Sequence, residues 1–346
     1  MLPYFFILFM VIFWIWIEQV SFSRKAVFFP LFVLVTFFSI RNFSVGTDTV
    51  VYTDKFRNSL SAHYYEFNPE IELGYQFIEY SLLNITDNYF WLFFTSALFV
   101  ISIYLFVIKR FSNNYILSVF IYITFGFYTF LFNGLRQGIA MAVCFLALPY
   151  LINGNKLKYF LLIVIASLFH TSAWVMLPFY FLVHMKLRLE YKMLITFLSS
   201  FLISGILISY FAEQNSRYEG YVQVSESSGG YILLMFYFIL GLLLYFLGRK
   251  ERFLNHNYKI FEQVYLCGLL FIIPIAILGT NPSGPQRMLN YFTPMLIFLI
   301  PILISKFKTS FVLYVFYMCM VIFYYLTTTR FSDLTPYIIN PVFEMF

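Results

Sequence analysis

Tyr159-Phe-Leu-Leu-Ile-Val-Ile-Ala-Ser-Leu-Phe-His170-Thr-Ser-Ala-Trp-Val-Met-Leu-Pro-Phe-Tyr-Phe-Leu-Val183 decides how the chain is threaded. Its 25 residues have the length of one long membrane span, for which about 20 apolar residues suffice. Yet His170, Thr171 and Ser172 stand at its middle. Lys156 and Lys158 precede it, and Lys186, Arg188 and Lys192 follow it. Cations favour the cytoplasmic side of a membrane, so both flanks ask for the same side. A single crossing would put one cluster outside and invert everything downstream. Two half-helices of about twelve residues reach about 18 Å each, against a hydrocarbon core of about 30 Å. The expectation is a re-entrant pair over 159–183 with His170 at the tip, sheltered by protein or lining a polar cavity. The alternative is one long span around a buried, satisfied histidine.

Working outward, apolar runs dominate the whole chain. Of 346 residues 61% are hydrophobic and 11% carry charge, against about a quarter in soluble domains. So few charges leave most of the surface to lipid. The 48 Phe and 29 Tyr suit a membrane interior and its interfaces. The net charge of +6 does not indicate nucleic acid, because no basic block or nucleic-acid motif occurs. Cys144, Cys267 and Cys319 each lie in an apolar run without motif spacing, so disulfides and structural zinc are not expected. The run 2–17 lacks a basic leader and a small-residue cleavage site, and reads as a retained first span.

Further candidate spans are 26–40, 89–108, 114–132, 138–152, 193–212, 231–248, 262–279, 289–304 and 311–328. With the re-entrant pair they make about twelve hydrophobic segments in a single integral membrane domain, 1–346, with both termini outside. The cytoplasmic connections then hold Arg24, Lys25, Lys109, Arg110, Lys156, Lys158, Lys186, Arg188, Lys192, Arg249, Lys250, Arg252, Lys259, Lys306 and Lys308. The outside holds Arg41, Lys55, Arg57, Arg136, Arg217, Arg287 and Arg330. Ten of the fifteen inside cations are lysine, whereas six of the seven outside are arginine. Topology needs charge alone. Arginine adds a planar fork for phosphate or carboxylate. The bias points to an oxyanion ligand outside, or to ion pairs with the outside carboxylates.

The longest polar stretch is the outside loop 41–88. Gly46 permits a sharp turn, and Thr47 or Asp48 is placed to cap a short helix over about 49–60. Glu70-Ile-Glu72-Leu-Gly74-Tyr75 opens a second helix, expected along the membrane interface. Most carboxylates of this loop read as solvated. Asp48 and Glu72, nearest the turns, are candidates for sugar-hydroxyl binding or base work. Asn133-Gly-Leu-Arg136-Gln137 joins two spans almost without a loop, which puts Arg136 at or below the outer interface. Burying an arginine in a span costs about 2.5–3.5 kcal/mol, so such a residue is a functional suspect. Outside loop 213–230 carries Arg217 and Tyr218. Loop 280–288 is rich in Pro and Gly and delivers Arg287 to the next span. The tail, 329–346, carries Arg330, Asp333 and Tyr337. No P-loop, dinucleotide, zinc-protease or serine-hydrolase motif occurs, and neither a metal nor a cofactor is expected.

Arg41 through Gly46-Thr47-Asp48 to Tyr52 and Phe56 resembles the first-loop signature of EpsG-like proteins. Glu72-Leu-Gly74-Tyr75 is similar to their second element. Arg136-Gln137 followed by Ile139-Ala140, and Ala166-x-x-Phe169-His170-x-Ser172-Ala173, resemble their central motifs. Arg287, Tyr291-Phe292 and Pro294 resemble the late motif. The similarity spans roughly 40–300. The family is that of Wzy-type polymerases of O-antigen, capsule and exopolysaccharide. The short loops here depart from polymerases that carry two large outside loops.

The resemblance implies an all-α polytopic membrane protein of GT-C-like architecture in the bacterial inner membrane, with its active site facing the periplasm. It implies transfer of a growing glycan from undecaprenyl pyrophosphate to a new lipid-linked repeat unit. The implied partners are the lipid-linked donor and acceptor, the bilayer, and a chain-length regulator and flippase of the same pathway. The reaction is expected to be metal-independent and inverting. Such a step needs a base for the acceptor hydroxyl and cations for the leaving pyrophosphate. His170 is placed for the first, with Asp48 and Glu72 as alternatives. Arg136, Arg217 and Arg287 are placed for the second. Arg41, Gln137, Ser172, Tyr218 and Tyr291 complete the expected substrate contacts. An O-antigen ligase would use the same donor and hand glycan to a lipid A core. A flippase would be expected to place cations along a transit path, whereas the span interiors here lack charge.

Overall fold

The computed structural model describes residues 1–214, 229–278, 284–307 and 309–343. Among the described residues every named element is helical. Among the described residues eight stretches are long and apolar enough to cross a membrane: Leu2–Phe22, Phe90–Phe111, Tyr115–Asn133, Leu135–Ile152, Gly230–Leu247, His256–Ile277, Pro285–Ile304 and Phe311–Arg330. The chain is therefore a polytopic membrane protein. Of the other two expected spans, 26–40 forms the shorter helix Phe28–Ser39, and 193–212 lies inside Leu189–Gln214.

Two compact units are formed. One contains Met1–Leu148, Phe160–Trp174 and Phe307–Phe346; the other contains Pro149–Tyr159 and Val175–Lys306. The first unit opens with α1 (Leu2–Phe22), α2 (Phe28–Ser39), α3 (Thr49–Arg57), α4 (Leu73–Leu83) and α5 (Phe90–Phe111). It continues with α6 (Tyr115–Thr124), α7 (Phe127–Asn133) and α8 (Leu135–Leu146). Lys109 and Arg110 sit in the last turn of α5, where cations suit the helix dipole. The expected span 114–132 is broken between α6 and α7 at Gly126, whose φ of +83° suits glycine. The Asn114 side chain caps α6 by accepting from Leu117 N at 3.2 Å. Helix α5 packs against α2 and α8, and Tyr104 of α5 stacks on Tyr122 and Phe145 at 4.8 and 4.5 Å.

The C-terminal tail straps onto this unit. Asn42 N donates to Ile338 O at 2.8 Å, Asn340 N to Ile40 O at 2.7 Å, and the Tyr4 hydroxyl to Leu334 O at 2.7 Å. Gly46 N donates to Asp333 O, and Asn133 Nδ2 to Ser332 O at 2.6 Å. The strap thereby ties the start of loop 41–88 to the end of α7.

After α9 (Leu148–Ile152), the stretch that decides the threading forms α10 (Lys156–Ser167), a 3-10 turn over Thr171–Met176, and α11 (Leu177–His184). The chain reverses at residues 168–170. Ile165 O and Ala166 O accept the N–H groups of Leu168, Phe169 and His170, which closes the helix tightly. At the base the two limbs meet again. The Tyr180 hydroxyl donates to Gly154 O at 2.6 Å and the Tyr159 hydroxyl to Met176 O at 2.7 Å.

The second unit adds α12 (Leu189–Gln214), α13 (Gly229–Leu247), α14 (Arg249–Leu254), α15 (His256–Ile277) and α16 (Leu296–Ile304). Helix α15 is its core and packs against α12, α13 and α16. The last long helix, α17 (Ser310–Leu326), returns to the first unit and packs on α6. Two cations assigned from the sequence to cytoplasmic connections are engaged in the second unit. Arg252 forks onto the buried Glu262 at 2.5 and 2.8 Å. Lys192 is buried and donates to Val183 O and Gln263 Oε1, both at 2.8 Å.

Candidate functional site

Four segments of the first unit converge on one carboxylate. Its first wall is α3. Gly46, at φ +100°, turns the chain where a Cβ would strike Asn133 Oδ1. Thr47 N then donates to that oxygen at 3.0 Å, and Thr49 Oγ1 to Phe132 O at 3.1 Å. The helix runs three residues shorter than expected, and Asp48 precedes it without a side-chain cap bond. Thr49, Tyr52, Thr53 and Phe56 form its buried face.

The second wall is the entry to α4. Gln76 clamps the preceding turn: its Oε1 accepts from Asn68 N at 2.7 Å, and its Nε2 donates to Asn68 O and Ile71 O at 2.8 and 2.6 Å. This fixes Glu72 at the N-cap with an extended backbone, its carboxylate turned away from the helix amides. Gly74 N instead donates to Leu168 O at 2.8 Å, so α4 and the hairpin tip touch backbone to backbone. The contact needs glycine, since a Cβ would stand 2.7 Å from that carbonyl oxygen.

The third wall is the first turn of α8. Arg136 stands there with its charge opposed by the helix dipole. Its Nη1 donates to Glu72 Oε2 at 2.5 Å, the Tyr52 hydroxyl is hydrogen-bonded to it, and Tyr75 presents its ring at 5.9 Å. The fourth wall is the hairpin tip. His170 Nδ1 lies 3.6 Å from Glu72 Oε1, and Thr171 N donates to that same oxygen at 3.3 Å. Ser172 reaches the imidazole through both Oγ (3.1 Å) and N (3.3 Å), each to Nδ1. The Glu72 side chain is 8% exposed, while Arg136 and His170 are each 22% exposed. The cluster is thus closed around the carboxylate and open at the guanidinium and imidazole.

Of the expected site residues, Glu72, Arg136, His170 and Ser172 come together. Gln137 follows Arg136 and is buried. Asp48 is half-buried, with its carboxylate accepting from Thr47 Oγ1 at 3.3 Å. Arg41, expected as a substrate contact, is fully enclosed by aromatic neighbours. Not all loop carboxylates are solvated either, because Glu79 is buried and holds Lys55 and the Tyr65 hydroxyl, both at 2.6 Å. Arg287 is half-buried on a 3-10 turn, Pro285–Tyr291, of the second unit, and Tyr291 at its end is buried. Arg217 and Tyr218 lie outside the described residues. Gln76 and the hydroxyl of Tyr52 are parts of the site that the expected site residues do not include, although Tyr52 stands in the first-loop signature. The helical spacing of Thr49, Tyr52, Thr53 and Phe56 is the signal for the second. The Gln76 clamp has no comparable sequence signal.

These features define a polytopic membrane protein with a carboxylate–guanidinium–imidazole cluster at one end of its first unit. The chain belongs to the EpsG family, whose model matches residues 25–339 and so contains the whole cluster. EpsG is a family of Wzy-like polymerases. No curated protein and no solved structure matches the chain.

Proposed function

We propose that this protein polymerises polysaccharide repeat units carried on undecaprenyl pyrophosphate, on the outer face of the bacterial inner membrane. The observation that carries the reading is the convergence of Glu72, Arg136 and His170, far apart in sequence, into one partly open cluster. An acceptor hydroxyl oxygen attacks the anomeric carbon of the donor. The bond from that carbon to the pyrophosphate oxygen breaks, and its electron pair leaves with pyrophosphate. The hydroxyl proton passes to a base of the cluster, and the anomeric centre inverts. Arg136 takes up the charge that develops on the leaving group, the kind of contact that serves a transition state best. Arg287 keeps its expected role as a phosphate-binding cation. A pyrophosphate leaving group is already activated, so no nucleotide is required.

The test is purified protein supplied with lipid-pyrophosphate-linked repeats alone. A ladder of extended glycans is the expected product. Transfer to a lipid A core without repeat extension would make the protein a ligase, and lipid movement across vesicles without extension would make it a transporter. For the membrane placement we propose that 159–183 is re-entrant, with both flanks cytoplasmic. Cysteines placed at residues 155 and 188, in a chain lacking Cys144, Cys267 and Cys319, are expected to resist an impermeant thiol reagent added outside. Labelling of one of them refutes the hairpin's placement.

A further inference from the structure

Resting on the polymerase reading, we infer that Glu72 is the base that takes the acceptor proton, and that His170 works as a neutral hydrogen-bond donor through Nε2. The argument begins with Ser172. A backbone N–H can donate and cannot accept, and that of Ser172 is directed at His170 Nδ1 at 3.3 Å. Nδ1 therefore presents its lone pair, and the Ser172 hydroxyl at 3.1 Å can donate to the same nitrogen. A neutral imidazole with a lone pair on Nδ1 carries its proton on Nε2. An Nε2–H has no in-plane lone pair with which to remove a proton.

To become a base at Nε2, the ring would have to move its proton to Nδ1. That proton would then face the Ser172 N–H. The Ser172 hydroxyl at 3.1 Å could accept that proton, and Glu72 Oε1 at 3.6 Å lies beyond hydrogen-bond distance, but only a lone pair on Nδ1 satisfies the Ser172 N–H and the hydroxyl together. The hairpin turn thus holds the ring as a donor. Ser172 acts here as a positioning residue for His170, which revises its expected role as a substrate contact.

Glu72 has the opposite character. Its oxygens are acceptors, one held by Arg136 at 2.5 Å and the other by the long 3.3 Å bond from Thr171 N. A pyrophosphate carries more charge than a carboxylate and competes for the same guanidinium fork. As it draws Arg136 to itself, Glu72 is released to accept a proton. The acceptor hydroxyl then gives its proton to the Glu72 carboxylate while its oxygen bonds to the anomeric carbon. The electron pair of the broken bond rests on pyrophosphate, which Arg136 and the Nε2–H of His170 stabilise. The Glu72 carboxylic acid afterwards returns its proton to solvent.

Three measurements test this. His170→Gln supplies an amide N–H in place of Nε2–H and is no base, so repeat extension is expected to fall by less than about tenfold. His170→Ala, with no donor, is expected to lose about 10²–10³ in rate. Glu72→Gln keeps shape but not basicity. It is expected to lose about 10²–10⁴ in rate while binding donor lipid as well as or better than the parent, because a neutral amide competes less for Arg136. A purely structural Glu72 would lose donor binding together with rate. The third measurement is independent of turnover. Nitrogen-15 NMR of labelled protein, compared with His170→Gln to assign one of the four histidines, is expected to place the His170 proton on Nε2. A proton on Nδ1, or His170→Gln as inactive as His170→Ala, overturns the assignment. Parent protein that makes no polymer defeats the polymerase reading, while the NMR result still decides the tautomer.

Discussion

Arg41 and Arg136 both stand next to helix ends that the charge pattern places outside, and the fold gives them opposite surroundings. Arg41 is enclosed by the rings of Phe38, Phe93 and Phe132, at 3.8, 3.8 and 4.5 Å from its guanidinium carbon. Its Nη1 donates to Phe38 O at 2.7 Å, and among the described residues Nε and Nη2 have no hydrogen-bond partner. The three rings belong to α2, α5 and α7, so the buried cation pins three helices through their π faces. Its backbone pairs with Ile339 of the tail strap. Arg136 is held instead by a carboxylate and a hydroxyl, and is 22% exposed. Arg41 is closed into the aromatic core, whereas Arg136 is partly exposed and, on the function proposed above, exchanges Glu72 for an anion. Residue type proposes phosphate binding for both, and access separates them.

Between these two arginines the larger expected effect lies at Arg136. Arg136→Lys keeps the charge and loses the fork, and is expected to cost about 2.7–4 kcal/mol of transition-state stabilisation, or about 10²–10³ in extension rate. Thermal unfolding should stay near that of the parent. Near-normal chain-length distributions at matched protein levels would reduce Arg136 to a structural ion-pair partner and erase the contrast with Arg41.

Next comes Gly74→Ala, which attacks the scaffold of the Arg136 cluster without touching its chemistry. The new Cβ would meet the Leu168 backbone, which cannot rotate aside as a side chain can. Parting α4 from the hairpin tip is expected to cost about 1–3 kcal/mol, as overpacking does. It should lower both the unfolding temperature and the rate. Loss of stability with full rate would mean that the cluster tolerates displacement of the tip.

The smallest effect is expected at Arg41. Arg41→Met fills the aromatic cage with an apolar chain. It forfeits cation–π attraction of about 2 kcal/mol, and removes two unsatisfied buried donors that cost about 1–3 kcal/mol each. The terms oppose each other, so stability should change little and extension should persist. Loss of extension in a folded Arg41→Met protein would break the comparison, since it would give the caged arginine a part in the chemistry.

Much of the fold is legible because lipid simplifies the code. Long apolar runs with few charges have one stable backbone solution, the helix, and the eight spans lie where hydropathy places them. Interruptions are harder to read. Gly126 breaks a continuous apolar run, and nothing in hydropathy separates a glycine that packs from one that adopts a positive φ. The site is legible as residue types in order: Glu72, Arg136, His170 and Ser172 are all candidates from motif and position. The burial of Glu79 against Lys55 and Tyr65 is not legible, because a carboxylate in a polar loop looks the same whether solvated or paired.

Composition and the length of apolar runs, by themselves, determined that this chain is a helical membrane protein and where most of its long helices lie. Those are local properties, set by each segment's own backbone hydrogen bonds and its own contact with lipid. Motif order determined the family. Tertiary structure decided which of Arg41 and Arg136 is caged and which is partly exposed, that Glu72 binds two distant segments at once, and which imidazole nitrogen faces a backbone N–H. Those outcomes depend on atoms brought within about 4 Å from segments far apart in sequence, at separations where charge pairing and hydrogen bonding change steeply.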